Sequence, residues 1–485
     1  MTLLLSILPL AAVVLLLASG RVSVLGAGLV GLALAIAAVA HALPPARGLP
    51  GYLIAEGLAG VWIAWPAVAM IVTGLAFHGL VKLVQPALFD AAARGPAVAV
   101  RHRRLFAACF LLGPFAESAT GFGVGAIVAY AAITRLGVRG ATAAVLALFS
   151  QTLVPWGALA VGTALGASLG HLPPAGLGAR TAILCAPLLF GALALFWRVC
   201  ARERLTLGWR QRVDDAVWIT ALAGGLYLSH RVLPVEIAGL TVTASLLVLR
   251  YLRDEVPGWT DLRAAARVAS PYVLLTLCLV LTRVVPPLAR ALAGHLVLRP
   301  DPDLPGFAAL FHPSAWLLVV VVVVAVAAGR AAALPRVFAD AARVAWWPAL
   351  VTVVFVVMAR WMNGAGVVAV VAARWTELAG PHALLGTPVF AGVAGFLTGS
   401  GVAANGMMLP LQLDLASHAG ASPLWAAAIQ NTAGAAMTMV SPIRVAMVAT
   451  VAGQAGGERA IYRRIAPLAL LVLVVTLGAA VIASI

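Results

Sequence analysis

Apolar runs long enough to cross a bilayer recur along this chain from one end to the other. A helix needs about 20 apolar residues to span ~30 Å of hydrocarbon, and stretches such as 23–41, 51–84, 179–198 and 465–484 meet that length. Inside hydrocarbon every backbone N–H and C=O must be satisfied by the chain itself, which leaves only helices or closed barrels. Continuous apolar runs, rather than alternation, select helices. The 485 residues are 63% apolar and 10% charged, with mean hydropathy +1.05, and no stretch is polar enough to form a separate soluble domain. Residues 1–485 therefore read as one integral membrane unit of the all-α polytopic class. The run Leu3–Ala18 is like a signal sequence, but no Lys or Arg precedes it and no convincing cleavage site follows, so we keep it as the first helix.

A net charge of +16 raises nucleic-acid binding, and the placement of the charges argues against it. The basic residues sit in short connectors between apolar runs, as the positive-inside rule requires of cytoplasmic loops. The clearest block is Arg198, Arg202, Arg204, Arg210 and Arg212. The expected macromolecular environment is thus the lipid bilayer. Four scattered cysteines without a C-x-x-C pair, and histidines without an H-E-x-x-H pair, suggest no disulfide framework, metal site or cofactor.

The arginines orient a topology of about twelve transmembrane helices, at 2–19, 23–41, 51–84, 141–169, 179–198, 214–230, 235–251, 269–286, 314–329, 341–378, 423–451 and 465–484. Both termini then lie outside. Two further apolar segments, 104–135 and 384–416, are interrupted at their middles by Gly, Pro and polar residues and read as re-entrant hairpins. The order of spans and hairpins in 23–198 recurs in 314–484, with connecting helices at 199–313. Because the first hairpin enters from the cytoplasm and the second from outside, these are two inverted repeats, an arrangement typical of secondary transporters.

The candidate site follows from the interruptions. Glu117 is a carboxylate within the broken segment Gly113–Gly123, where a charge costs at least ~2.5–3.5 kcal/mol and needs a reason to be kept. It is the candidate to carry a coupling proton, with Ser118, Thr120 and Gly121 beside it. The second break contains Ser400, Gly401 and Asn405; its freed N–H groups and half-helix N-terminus suit an anion. Gln151, Thr152, Asn431, Thr432 and Ser441 are polar positions at proline-marked breaks in long spans, either lining a site or bonding between helices. Arg444 has three readings: a bidentate clamp on a carboxylate, a counter-ion to Glu117, or a chain snorkelling to the interface. Glu56 is expected near the outer interface, Asn363 and Gly364 at a hinge, and Asp414 in solvent. A channel would need a continuous polar pore, and an enzyme would need a metal set or nucleophile–base pair; the sequence offers neither.

These residues also carry a resemblance. Gly113–Gly123 resembles the G-x-F-x-E-x-A-x-G-F-G run of the lactate permease family. Trp156-Gly157-Ala158 is similar to that family's F-G-A step, Thr398-Gly399-Ser400 with Asn405 to its G-S-x-T-x-S-N break, and Ser422-Pro423, Asn431–Gly434 and Ser441-Pro442 follow in the family's order. The resemblance implies a multi-pass permease of the bacterial inner membrane. It implies proton-coupled uptake of lactate, glycolate or a related 2-hydroxy monocarboxylate. Another organic anion, such as a dicarboxylate or sulfonate, sodium coupling, and assembly as a homodimer stay open. The chain departs from the family at Val402 and Ala404, which replace hydroxyl residues, and at Ile443 and Arg444, where a cation is gained.

Overall fold

The computed structural model describes residues 2–42, 48–86, 98–203, 207–454 and 457–484; Arg204 of the basic block lies outside them. These residues are almost entirely helical, the one strand pair among them being Val297–Leu298 antiparallel to Phe307–Ala308. Among the described residues, nine helices are long and apolar enough to cross a membrane, or ten if the bent pair Val367–Ala379 and His382–Thr398, at 111°, counts as one. Three of the twelve expected spans fall short of that measure. Leu3–Ala18 and Pro313–Ala327 are apolar but short, and Trp209–Ser229 opens with Arg210, Arg212, Asp214 and Asp215. The expected span 341–378 is divided: Leu334–Gly364 ends at the Asn363-Gly364 break, and after Gly366 at φ 74° a separate helix, Val367–Ala379, begins.

Two long helices, Leu49–Val84 and Leu334–Gly364, form the central contact of the fold. Their partners are exchanged: Val24–Ala42 packs on the second, and Pro313–Ala327 on the first. Lipid gives helices no hydrophobic reason to associate, so close approach through small residues replaces it. Gly60 supplies that approach, since a Cβ there would meet Val357 Cα at 2.9 Å. The outer ends are tied together as well. Glu56 pairs with Arg360, Tyr52 Oη donates to the Trp361 carbonyl at 2.8 Å, and Trp361 Nε1 donates to the Leu53 carbonyl at 2.9 Å. At the opposite ends a cavity of about 590 Å³ opens between the two helices, bordered by His78, Lys82, Arg336 and Asp340.

Four helix breaks converge on the middle of the molecule. Gly113–Thr120 is followed by Gly121, Phe122 and Gly123 at φ 72°, 57° and 84°, after which Val124–Arg135 runs back along it. Gly386–Thr398 ends at Gly399, and Ser400 caps Gly401–His418 by accepting the N–H of Ala403. The other two breaks share one extended step, although Ala158–Ala160 beyond the first are left-handed at φ 49–56° and nothing after Ser441 matches them. A 3₁₀ turn over 149–156 leads to Gly157 at φ −62°, ψ 146°, and one over Thr438–Val440 leads to Ser441 at φ −62°, ψ 145°. Each then enters a further helix, Gly157–Leu169 or Pro442–Val451.

The connecting helices are anchored to the first of these elements by buried charge. Asp215 receives Trp197 Nε1 and contacts His102 Nε2, both at 3.0 Å, with Arg250 Nη2 3.7 Å away. Arg250 lies over the Phe106 ring. His102 and Phe106 belong to Val98–Ala107, the helix leading into the first break.

Candidate functional site

The left-handed turn Gly121–Gly123 folds the chain so that the N–H groups that follow it face back onto Glu117. Gly123 N donates to Oε1 at 3.2 Å and Gly125 N to Oε2 at 3.0 Å. Gly125 must be glycine for this, because a Cβ would sit 2.4 Å from the Gly113 carbonyl and 2.6 Å from Glu117 Cβ. Gln151 Nε2 adds a third donor, to Oε2 at 3.2 Å. The fourth is Arg444 Nη1, 3.1 Å from Oε1. Glu117 is 1% exposed, so four convergent donors supply the hydrogen bonds that water would otherwise provide.

Arg444 reaches the other hairpin too. Its Nε donates to the carbonyl of Gly399 at 3.2 Å, so one guanidinium spans the tips of both breaks. Ser441 positions it by accepting the Arg444 backbone N–H at 3.2 Å as the cap of Pro442–Val451. The side chain is buried, and among the described residues Nη2 has no partner. Of the three readings, snorkelling does not describe this geometry and pairing with Glu117 does.

A cavity of about 360 Å³ lies between the tips. Of the residues proposed from sequence, Glu117, Gly121, Ser400, Gly401, Asn431 and Arg444 line it. The others stand behind the wall or away from it. Thr120 Oγ1 donates to the Ala116 carbonyl and Thr152 Oγ1 to that of Phe149, both within their own turns. Ser118 Oγ lies beside Gly239 of the helix Val235–Glu255; Ser118 Oγ and Thr432 Oγ1 are buried with no hydrogen-bond partner. Asp414 is half-buried in Gly401–His418 rather than in solvent.

Asn405 and Asn431 hold the two breaks in register. Asn405 Nδ2 donates to Asn431 Oδ1 at 2.8 Å and to the Gly162 carbonyl at 3.0 Å. Asn431 Nδ2 donates to Thr163 Oγ1 at 3.0 Å and Thr181 Oγ1 at 3.1 Å, and Thr163 Oγ1 donates to the Pro155 carbonyl at 2.6 Å. A fully buried network of this kind fixes relative position, since each broken bond leaves a desolvated polar group.

Two lining segments were not singled out in the sequence. Ser23–Leu25 starts one helix, and Trp347, Pro348 and Val351 sit within another. Their apolar character makes them indistinguishable from lipid-facing residues until the fold brings them together. Trp156 turns out to face outward from the cavity, donating Nε1 to His230 Nε2 at 3.1 Å, another contact no local pattern announces.

Residues 306–485 match the family model described as L-lactate permease. The match takes in the second hairpin, Asn431 and Arg444. No curated protein matches the chain.

Proposed function

The chain belongs to the lactate permease family, as the match over residues 306–485 supports, and from that premise we propose that it is a secondary transporter that takes up a 2-hydroxy monocarboxylate together with a proton. The family is one of transporters rather than enzymes, and the chain is a multi-pass membrane protein. The observation that carries the proposal is the single guanidinium of Arg444, held between Glu117 and Gly399 at the edge of the cavity.

Charge balance gives the mechanism. Unloaded, the site contains one cation and one carboxylate and is neutral. A substrate carboxylate arriving at Arg444 Nη2 and the first N–H groups of Gly401–His418 makes two anions against one cation. An unbalanced charge is expensive to move through a low-dielectric interior. A proton on Glu117 restores neutrality, and the oxygen that accepts it becomes free as Arg444 turns from Glu117 to the substrate. The neutral loaded site then crosses, and the two hairpins act as its jaws.

Other parts of the reading are supported in the same way. The matching backbone at Gly157 and Ser441, with the exchanged partners of the two long helices, favours two inverted repeats. Ser23 borders the cavity at the start of its helix, just after Arg21, and Trp347 lies one turn beyond Arg343; by the positive-inside rule this favours a conformation that faces the cytoplasm. A bacterial inner membrane is the setting the family suggests.

The test is uptake of labelled L-lactate and glycolate into proteoliposomes under an imposed proton gradient, a sodium gradient, or neither. Accumulation driven by protons alone is the expected result. Accumulation driven only by sodium would replace the coupling ion, and no uptake of any organic acid would overturn the proposal.

A further inference from the structure

We infer that the preferred substrate is a monocarboxylate carrying a bulky apolar tail, larger than the methyl group of lactate. This rests on reading the cavity between the hairpin tips as the substrate site.

The first observation is that the cavity has a single pole. Arg444 is the one cation among the described residues lining it, and two of its five N–H donors are committed to Gly399 and Glu117. A second carboxylate on the substrate would find no counter-charge and would be left desolvated, which is strongly unfavourable. The second observation concerns the other polar side chains. Asn431 is occupied by its network, Thr398 Oγ1 donates to the Ala394 carbonyl at 2.7 Å, and Ser23 Oγ accepts the N–H of Gly26. What remains for a ligand is Arg444 Nη2, the hydroxyl protons of Ser23 and Ser400, each of which only accepts a backbone N–H, and the first N–H groups of Gly401–His418, which a helix leaves without internal partners.

The third observation is the rest of the wall: Phe122, Val161, Trp347, Val351, Ile443 and Met447. These come from four different segments, and their side chains present nothing for a hydroxyl or second acid to bond. Size agrees with chemistry. At about 360 Å³ the cavity has room for on the order of ten waters, whereas lactate has only six heavy atoms. A lactate bound at the pole would leave most of the apolar wall against water. A branched or aromatic tail would displace that water, and each methylene buried against such a wall strengthens binding by roughly fourfold.

The experiment uses the full chain in proteoliposomes and compares labelled L-lactate, 2-hydroxy-4-methylpentanoate, 3-phenyllactate and malate. Half-saturation at least tenfold lower for the two bulky acids than for lactate, with no malate uptake, is the expected result. Lactate equal to or better than both would overturn the inference while leaving the transport function standing. Malate uptake comparable to that of the bulky acids would overturn the single-pole assignment. Failure to move any of the four would remove the underlying function and the inference together. Val351→Phe and Val161→Phe fill the apolar side of the cavity without touching the pole. Each should shift the bulky-to-lactate preference about tenfold towards lactate, read as a ratio within one preparation so that protein yield cancels. An unchanged ratio in both variants would overturn the inference.

Discussion

Arg444 Nη1 stands 3.1 Å from Glu117 Oε1 across 327 positions of sequence. The two residues belong to opposite halves of the chain, and among the described residues lining the cavity each is the other's only opposite charge. Removing one partner of a buried pair typically costs 3–5 kcal/mol, because the survivor is left uncompensated. Glu117→Gln and Arg444→Gln should therefore each lower membrane yield and thermal stability. The double variant should recover a large part of both losses. A thermal-shift double-mutant cycle in detergent measures this, and additive losses would show that the pair contributes no coupling energy.

Glu117→Gln also separates transport from coupling. The amide keeps the side chain's shape but cannot take up the proton that balances a bound anion. Gradient-driven accumulation should fall to background, while exchange of internal for external substrate, which needs no net proton movement, should persist. Accumulation equal to the parent at every pH between 5 and 8 would refute the coupling role.

Arg444→Lys tests the two-hairpin bridge. A guanidinium reaches Gly399 and Glu117 with separate nitrogens and keeps Nη2 for a ligand. An ammonium is a point donor on a flexible stem and cannot reproduce that planar arrangement. Substrate half-saturation should rise tenfold or more with only a small loss of stability. Equal affinity would exclude Arg444 from contact with substrate.

Gly125→Ala addresses the carboxylate's cradle. The added methyl meets the Gly113 carbonyl and Glu117 Cβ at distances no real contact adopts, and overpacking of this kind costs about 1–3 kcal/mol. A lowered melting temperature with concurrent loss of uptake is expected. Gly224→Ala, where nothing lies within 4 Å, is the control and should be neutral in both assays.

Asn431→Ala should be more damaging than its size suggests. It takes a hydrogen-bond partner from Asn405 Nδ2, Thr163 and Thr181 together and leaves the Thr181 hydroxyl without its Asn431 partner, at about 1–3 kcal/mol for a buried group left unpaired. Loss of uptake together with increased protease sensitivity of the 140–169 segment is the expected outcome.

The readable parts of this molecule were those that violate the membrane's rules. Glycines, prolines and one carboxylate inside apolar runs mark both hairpin turns and the two 3₁₀ breaks, because each feature is costly in lipid and is retained only for a reason. Arg444 was legible as one of three alternatives, and only its distance to Glu117 separates them. The apolar half of the cavity was not legible. Val351 and Trp347 obey every rule for a lipid-facing helix, and only the crossing of separate segments brings them to the cavity's edge. The same holds for Asp215 with His102, whose partnership depends on how the connecting helices lie against the first hairpin. Ser118 and Thr152 mislead in the opposite sense: polar and adjacent to the break, they fall on helix faces turned from the cavity.

One pair of ends of Leu49–Val84 and Leu334–Gly364 is riveted by Glu56–Arg360, by the Tyr52 and Trp361 hydrogen bonds and by the Gly60–Val357 contact, while the other pair is held by apolar packing of Leu80 and Val81 with Val337 and Ala341 beside a cavity. Mechanically this is a lever with its fulcrum at the riveted ends. A small rotation at the rivet becomes a larger excursion along the helix, and Trp347 and Val351, which line the site, stand roughly two to four turns from it. The position of that wall is thereby tied to the angle between two helices rather than to the unfolding of any segment.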